Sequence, residues 1–299
     1  MGWFFARPGD VVPELPEVET VRRGLATATP GWLIVGGEVL LDRAVAAPEP
    51  EAFLAGLQGC CLVSWKRRGK YLLGELQRAQ RPAGWLGAHL RMTGQFLWVD
   101  PATPVHQHTR IRLRLRSNAI ERELRFVDQR TFGHLWWVSP DRPIEQVITG
   151  LAKLGPEPFD PAFSIDYFAE RLRKRHKTIK ATLLDQDLVA GLGNIYADES
   201  LFLAGIWPET RAADLSMEQV GKLHQQIRQV LEASLAAGGT TFSDFVNLEG
   251  VNGNYGGEAW VYNRKGQPCR VCGTAIERLR IAGRSSHVCP QCQPRSPQA

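Results

Sequence analysis

The chain has 299 residues, about the length of two domains. Hydrophobic residues make up 43% and charged residues 22%, close to the averages of globular proteins, so the composition excludes disorder as the main state. The formal net charge of +5 favours a polyanionic partner only weakly, until the charge is located along the chain. The sequence contains no run of 18 apolar residues, so it predicts no transmembrane helix, and we expect a reducing, cytoplasmic compartment.

A short helix followed by many strands is predicted in the first half. Residues 1–12 share no pattern with the rest of the chain and are interpreted as an extension outside the fold. Apolar residues at helical spacing predict an amphipathic helix over Pro16–Leu25, with Pro16 in its first turn. Short alternating runs then predict an all-β sandwich or barrel. These runs cover residues 33–41, 62–65, 71–76, 85–90, 95–99, 110–115, 123–127 and 135–138.

The second half is predicted to be helical. A proline-rich stretch, Leu154–Pro161, indicates a linker. Helical patterns come after it, and the last begins with a capping box from Ser216 to Gln219. The helices are predicted over residues 165–175, 179–184, 195–204 and 216–237. The expected boundaries are 1–12 for the extension, 13–145 for the strand domain, 146–160 for the linker, 161–261 for the helical domain and 262–299 for a cysteine-rich tail.

The tail carries two cysteine pairs with the spacing of a metal site. Cys269 and Cys272 are separated by two residues, as are Cys289 and Cys292. This double knuckle is typical of a four-thiolate zinc site, which has no open coordination position and is therefore structural. Disulfides or idle thiols are the alternative, and the expected compartment disfavours them.

Two basic segments are candidates for phosphate binding. Six cations without an acid lie between Arg171 and Lys180, just before a glycine-rich turn, residues 190–194, that opens a helix. Several more lie in a hairpin-like segment, Glu277–His287, between the cysteine pairs. A solvated charged face is the alternative interpretation of both.

The segment Pro13–Glu17 is unusual because two prolines and two carboxylates suit neither a helix nor a strand. A terminal amine has a pKa of about 7.7 to 8.0, against about 10.4 for lysine, so an N-terminal proline would be a good nucleophile near neutral pH. It would form an iminium with a sugar aldehyde carbon. From these residues alone, a stiff solvent-facing leader stays open.

Six motifs together resemble the formamidopyrimidine-DNA glycosylase family. They occur in the family's order and with its spacing from Pro13 to about Gln293. Leu15 and the segment Arg130–Gly133 favour this family over the related endonuclease VIII. The motifs are residues 13–20, 69–72, 89–94, 128–133, 191–197 and the cysteine tail.

The resemblance implies a bacterial base-excision-repair enzyme. Such an enzyme flips out and excises oxidised purines, namely 8-oxoguanine and formamidopyrimidines, and then cuts the strand as an AP lyase. The implied fold is an N-terminal β-sandwich with flanking helices, a helix-two-turn-helix domain and a C-terminal four-cysteine zinc finger. The implied cofactor is one structural Zn²⁺, and the implied partner is double-stranded DNA with oxidised bases or abasic sites. We expect a monomer in the bacterial cytosol, without a membrane partner.

Four catalytic residues follow from the resemblance. Pro13 would attack the sugar and hold it as a Schiff base, and Glu14 would give the proton for base release. Lys70 corresponds to the family's lysine for β-elimination. Arg284 corresponds to the arginine of the zinc hairpin, assigned to δ-elimination and phosphate binding.

The resemblance also implies six DNA contacts. Three residues would fill the space left by the extruded base, and three others would contact the DNA. The first set is Met92, Arg130 and Phe132; the second is His106, Arg175 and Asn194. His108 is an alternative to His106, and a neighbour of Arg175 is an alternative to that residue. A glycine-rich loop over residues 251–257 is expected near the lesion.

The extension is the departure from the family. If residues 1–12 stay attached, the nitrogen of Pro13 is a tertiary amide and is not a nucleophile. We therefore expect a misassigned start, with Val12 at the position of the initiator methionine. The alternatives are a lesion-binding protein without glycosylase activity, or an enzyme like endonuclease VIII that acts on oxidised pyrimidines.

Overall fold

The computed structural model describes residues 12–239 and 259–295. These residues divide into two compact units, one of residues 12–152 with 238–239 and the other of residues 153–237 with 259–295. Residues 1–11 of the extension lie outside the described residues, and so does the whole of the expected lesion loop over 251–257. Within the described ranges, no helix is both long enough and apolar enough to cross a membrane.

The first unit contains nine strands and three helices. The helices are α1 (Leu15–Ala28), α2 (Pro50–Leu57) and α3 (Ile144–Val147). The strands are β1 (Leu33–Val39), β2 (Val45–Ala47), β3 (Cys61–Arg68), β4 (Tyr71–Arg78), β5 (Arg81–His89), β6 (Gly94–Val99), β7 (Thr109–Ser117), β8 (Ile120–Asp128) and β9 (His134–Val138). All eight strands predicted from the alternating runs are present, and the sequence pattern did not predict the short β2 or the two-turn helix α2.

The strands form two layers with the core between them. Their hydrogen-bonded order is β2-β9-β5-β4-β3-β1-β7-β8-β6, and a single register pair, Leu33 with Cys61, joins β1 to β3. Buried side chains from both halves make one core cluster. The rings of Trp65 on β3 and Phe96 on β6 lie 6.3 Å apart across it. The fold prediction of a sandwich with flanking helices is confirmed.

Strand β7 illustrates why the alternating runs become strands. Its buried apolar residues are Ile111, Leu113 and Leu115, and arginines alternate with them on the other face. Because successive side chains of a strand point to opposite faces, this pattern places every apolar residue in the core.

The second unit contains four helices and a hairpin. They are α4 (Ile165–Arg173), α5 (Ile179–Leu183), α6 (Asn194–Ala204), α7 (Met217–Ala236), β10 (Glu277–Ile281) and β11 (Arg284–Val288). The four predicted helices agree with these bounds to within two residues. The capping box at Ser216 is present, since its hydroxyl accepts from Gln219 N–H and the Gln219 side chain accepts from Ser216 N–H. Helix α6 is buried along most of its length, so it forms the centre of this unit.

Candidate active site

The segment Pro13–Glu17 caps helix α1. Glu14 is the N-cap residue: its carboxylate accepts the N–H of Glu17, and the carboxylate of Glu17 accepts the N–H of Glu14 at 2.9 Å. This reciprocal pair is a capping box built from two glutamates, and both side chains are buried. The cap explains the two acids and Pro16: Pro16 suits the first turn, and the acids accept free N–H groups at the start of the helix. Pro13 is fixed just outside that turn.

Lys70 lies in the turn between β3 and β4, and an arginine ties this turn to α1. The guanidinium of Arg67 donates to the Glu19 carboxylate at 3.2 Å and to the carbonyl oxygen of Gly69 at 3.0 Å. Gly69 has a φ of +55°, in the left-handed region that favours glycine. Thus the turn that carries Lys70 is linked to the helix whose first turn carries Glu14.

Met92, Arg130 and Phe132 lie in two neighbouring loops of the same unit. Phe132 is 49% exposed although it is a large apolar residue, and the guanidinium of Arg130 lies 5.3 Å from the centre of its ring. Met92 is half-buried in the turn between β5 and β6. The hydroxyl of Thr93, beside Met92, accepts the N–H of Arg130 at 2.9 Å, so the two loops are bonded to each other.

The two candidate histidines are neighbours with a shared environment. The centres of the His106 and His108 rings lie 5.3 Å apart, and His106 Nδ1 accepts the N–H of His108 at 3.1 Å. Arg110 lies with its Nη2 at 3.1 Å from Nδ1 of His108. Burial, and then neighbouring positive charge, lowers the pKa of both imidazoles. Because the two imidazole rings lie side by side, His106 and His108 both stay candidates for the DNA contact.

In the second unit the structure brings Asn194 and Arg284 together. Asn194 starts α6, and its Nδ2 donates to the carbonyl oxygen of Ser285 at 2.9 Å, next to Arg284 at the start of β11. A buried carboxylate fixes the hairpin further. Asp198 accepts the Ser286 hydroxyl at 2.7 Å and the His287 N–H at 2.9 Å, and it pairs with Lys180 at 2.6 Å.

Electrostatics explain why Asp198 is charged inside the unit. Burial alone would raise the pKa of its carboxyl, but Lys180 and the hydrogen bonds from His287 and Ser286 outweigh burial and lower it. The sequence shows Lys180 only as one cation of a basic run, and no motif in it marks Asp198 as the partner of Lys180. The position of Asp198 four residues after Asn194, on the same face of a helix, was the available signal.

The basic run over residues 171–180, a candidate for phosphate binding, forms many ion pairs with neighbouring acids. The guanidinium of Arg175 is paired with Asp185 at 2.8 Å and with Asp187. Its neighbours are paired as well: Arg171 with Asp187, Lys174 with Glu170, Lys177 with Asp185 and Lys180 with Asp198. Glu170 directly precedes the run, and Asp185 and Asp187 follow it closely, so the acids flank the run and are not part of it.

The four tail cysteines converge on one point. Their Sγ atoms all lie within 4.8 Å of one another. Sγ of Cys272 lies 3.5 Å from the Sγ atoms of Cys289 and of Cys292, and the Cys269 and Cys292 Sγ atoms are 3.9 Å apart. A tetrahedral zinc with bonds of about 2.3 Å needs sulfurs about 3.8 Å apart, so these residues fit the metal. Backbone N–H groups of Val271 and Cys292 also point at cysteine sulfurs, as they do toward metal-bound thiolates.

Three family models match the chain in order. The formamidopyrimidine-DNA glycosylase N-terminal domain matches residues 12–135, and the formamidopyrimidine-DNA glycosylase H2TH domain matches residues 154–246. The zinc finger found in FPG and IleRS matches residues 266–295. With the converging cysteines, this match confirms the helix-two-turn-helix domain, the zinc finger and one structural zinc.

Whole-chain relatives carry the same family name. Formamidopyrimidine-DNA glycosylase of a Synechococcus strain is 62% identical over 283 residues, which are 95% of this chain and 99% of the relative. The protein of that name from Acaryochloris marina is 60% identical over 287 residues, covering 95% of this chain and all of the relative. Among solved structures, a mutant Lactococcus lactis Fpg in complex with DNA containing Fapy-dG is similar, with a TM-score of 0.86 at 36% identity over 95% of this chain and 100% of that one. The chain therefore belongs to the formamidopyrimidine-DNA glycosylase family.

Proposed function

We propose that the chain is a base-excision-repair DNA glycosylase with AP lyase activity on oxidised purines. Its membership of the formamidopyrimidine-DNA glycosylase family supports this activity. The observation that carries the proposal is the position of Pro13 and Glu14 at the fixed start of α1. In a chain that begins at Pro13, its amine would lie beside the Glu14 carboxyl group, and these are the two groups that base release from a sugar requires.

In the proposed first step the lone pair of the Pro13 nitrogen attacks C1′ of the damaged nucleotide. The bond from C1′ to the base breaks, and the base leaves with a proton from Glu14. The bond from C1′ to O4′ then breaks, the proton of the Pro13 nitrogen goes to O4′, and C1′ stays bound to the nitrogen as a cationic iminium. This cation makes the C2′ proton acidic, so its loss expels the 3′ phosphate, and a second elimination expels the 5′ phosphate.

Lys70 and Arg284 are proposed to serve the eliminations. Lys70 would assist β-elimination, and the turn held by Arg67 and Glu19 fixes its position. Arg284 would bind phosphate and assist δ-elimination. The hydrogen bonds from Asn194 and Asp198 to its hairpin support this role, because a reacting group needs a rigid support.

Double-stranded DNA with an oxidised base or an abasic site is the proposed substrate. Base extrusion costs a few kcal/mol, and side chains that fill the vacated stack offset it. Exposed Phe132, with Arg130 beside it and Met92 on the bonded neighbouring loop, suits that task. Asn194 and the histidine pair are proposed to contact phosphates. Arg175 is also proposed there, and it would have to share its guanidinium with Asp185 and Asp187.

The proposed working protein starts at Pro13. The chemistry needs a secondary amine, and the match to the N-terminal family model begins at residue 12. We further propose that it acts as a monomer in the bacterial cytosol, with the strand domain over 13–145, a linker over 146–160, the helical domain over 161–261 and the zinc finger over 262–299.

Borohydride trapping tests the nucleophile. Borohydride reduces an iminium to a stable amine, so protein that begins at Pro13 is expected to become covalently linked to an oligonucleotide carrying 8-oxoguanine. The chain with residues 1–12 attached is expected to give no adduct. An adduct on both forms, or on neither, would contradict Pro13 as the nucleophile. Intact mass of the protein expressed from its native gene shows which form exists.

Glu14→Gln separates base release from strand cutting. It is expected to lower 8-oxoguanine excision by at least about 100-fold, because a general acid is lost. The same variant is expected to keep trapping on a preformed abasic site, where no base has to leave. Equal loss on both substrates would contradict the assigned role.

Oxidised pyrimidines are the second candidate substrate class. A solved structure of wild-type Lactococcus lactis Fpg in complex with DNA containing an oxidised pyrimidine matches this chain with a TM-score of 0.85 at 36% identity. Excision rates on matched 8-oxoguanine and thymine-glycol duplexes distinguish the two. Faster excision of 8-oxoguanine is the expected result.

A further inference from the structure

The carboxylate of Asp128 joins the two loops that carry Met92, Arg130 and Phe132. Asp128 ends β8 and is fully buried. Its Oδ1 accepts the hydroxyl of Thr93 from the first loop, and its Oδ2 accepts the N–H of Gly133 at 2.7 Å from the second. The same Thr93 oxygen also accepts the N–H of Arg130. Thr93 and Asp128 therefore connect the two loops to each other through three hydrogen bonds.

The backbone of Asp128 joins a third segment, the one with the two histidines. Its N–H donates to the carbonyl oxygen of His108 at 2.9 Å, and its own carbonyl oxygen accepts Nε of Arg110 at 2.8 Å. Nη2 of Arg110 lies 3.1 Å from Nδ1 of His108. An arginine only donates, so that Nδ1 is an acceptor and Nε2 of His108 carries the proton. His108 therefore presents a neutral N–H donor.

Close packing around Asp128 leaves little room for independent loop movement. A Cβ on Gly133 would lie 2.6 Å from the ring of Phe126 and 3.0 Å from Oδ2 of Asp128. A Cβ on Gly94, the residue after Thr93, would lie 2.5 Å from the Leu90 carbonyl oxygen. Cβ atoms in proteins essentially never come as close as these distances to the Phe126 ring and the Leu90 oxygen. Each of the two loops therefore needs glycine at this position.

We propose that Asp128, with Thr93, is a positioning residue that holds Met92, His108 and the pair Arg130 and Phe132 as one preorganised unit for entry into DNA. The inference rests on the proposed glycosylase function. Side chains ordered during folding lose little further entropy on binding, so a preorganised unit lowers the cost of filling the vacated stack. The benefit is greatest where a paired base has to be extruded, and it is small at an abasic site, which has no base to extrude.

The test compares two substrates in the form of the protein that gives the borohydride adduct. Thr93→Val keeps the side-chain shape and removes the hydroxyl that serves both Asp128 and Arg130. It is expected to lower single-turnover excision of 8-oxoguanine from a duplex by about tenfold, and cutting at a preformed abasic site by less than about threefold. Thr93→Ser restores a hydroxyl and is expected to recover most of the excision rate. Thr27→Val makes the same chemical change on the exposed face of α1 and is the matched control.

Asp128→Asn is the second variant. Its amide still accepts the Gly133 N–H and donates to the Thr93 oxygen, so it is expected to lose less excision than Thr93→Val. If Thr93→Val lowers both rates by the same factor, or lowers neither, the proposal is overturned. Absence of cutting by the unsubstituted protein on both substrates would instead overturn the proposed function. Thermal unfolding of each variant shows that the comparison is made on folded protein.

Discussion

The imidazole of His89 lies in the interior of the strand domain, at the end of β5. Burial lowers its pKa to about 3, and the nearby positive charges of Arg91 and Lys70 act in the same direction. Its Nδ1 accepts the N–H of Arg91 at 3.1 Å, so the folded protein holds it neutral. An unfolded histidine has a pKa of about 6.5, so the unfolded chain binds the proton first as the pH falls. His89 therefore stabilises the fold fully above a pH of about 6.5, and this contribution is lost as the pH falls from there towards 3.

We expect His89→Asn to weaken the pH dependence of stability. The side-chain oxygen of asparagine is able to replace Nδ1 as an acceptor, but it does not titrate. The free energy of unfolding of the unsubstituted protein should fall below about pH 6 more steeply than that of the variant, by up to about 1.4 kcal/mol per pH unit. Denaturant unfolding at about pH 7, 6 and 5 measures this difference, and zinc loss at low pH affects both proteins equally. Parallel pH profiles would show that His89 does not titrate in this range.

At the scale of secondary structure, the hairpin β10–β11 depends on helix α6. Asp198 on that helix accepts hydrogen bonds from Ser286 and His287 of the hairpin and pairs with buried Lys180. Asp198→Asn keeps the shape and places an amide group next to an unpaired buried ammonium. Breaking a buried pair on one side costs about 3 to 5 kcal/mol, so we expect a loss of about 3 kcal/mol in the free energy of unfolding of the helical unit.

The matched control is an ion pair in the same unit that is exposed to solvent. Lys174 and Glu170 are 68% and 66% exposed, and Glu170→Gln should cost less than about 1 kcal/mol because water screens the pair. Similar losses in both variants would contradict the importance of burial. The double variant Lys180→Met with Asp198→Leu should be more stable than Asp198→Asn alone, because no buried charge is left without its partner.

At the scale of the whole molecule, we expect zinc to support a small part of the fold and a large part of the proposed activity. The hairpin strands have five residues each, and buried cysteines of the zinc finger pack with Phe202 of α6. Removing zinc with a chelator is expected to change far-UV circular dichroism little. Strand cutting on both sides of an abasic site should be lost, because Arg284, which is proposed to bind phosphate and to assist δ-elimination, lies on this hairpin. Added Zn²⁺ should restore cutting, and chelator saturated with zinc is the control. Full cutting by metal-free protein would contradict this prediction.

The sequence by itself determined the local structure and the metal ligands. Eight strands and four helices followed from spacing, because the period of apolar residues depends only on backbone geometry. The zinc ligands followed from the two cysteine pairs, since each pair binds one edge of a tetrahedron. The roles proposed for Pro13, Glu14 and Lys70 come from family motifs, which record chemistry as well as packing.

Only the tertiary structure decided which charges and polar groups meet. The sequence shows the run over 171–180 only as a cluster of cations, and the structure pairs several of them with Asp185, Asp187 and Asp198. The hydrogen bonds of Asp128 connect residues 93, 108, 110 and 133, which no single motif contains. The physical reason is that a charge or a hydrogen bond acts over a few ångströms in space, so its partner is set by how the chain folds and not by sequence spacing.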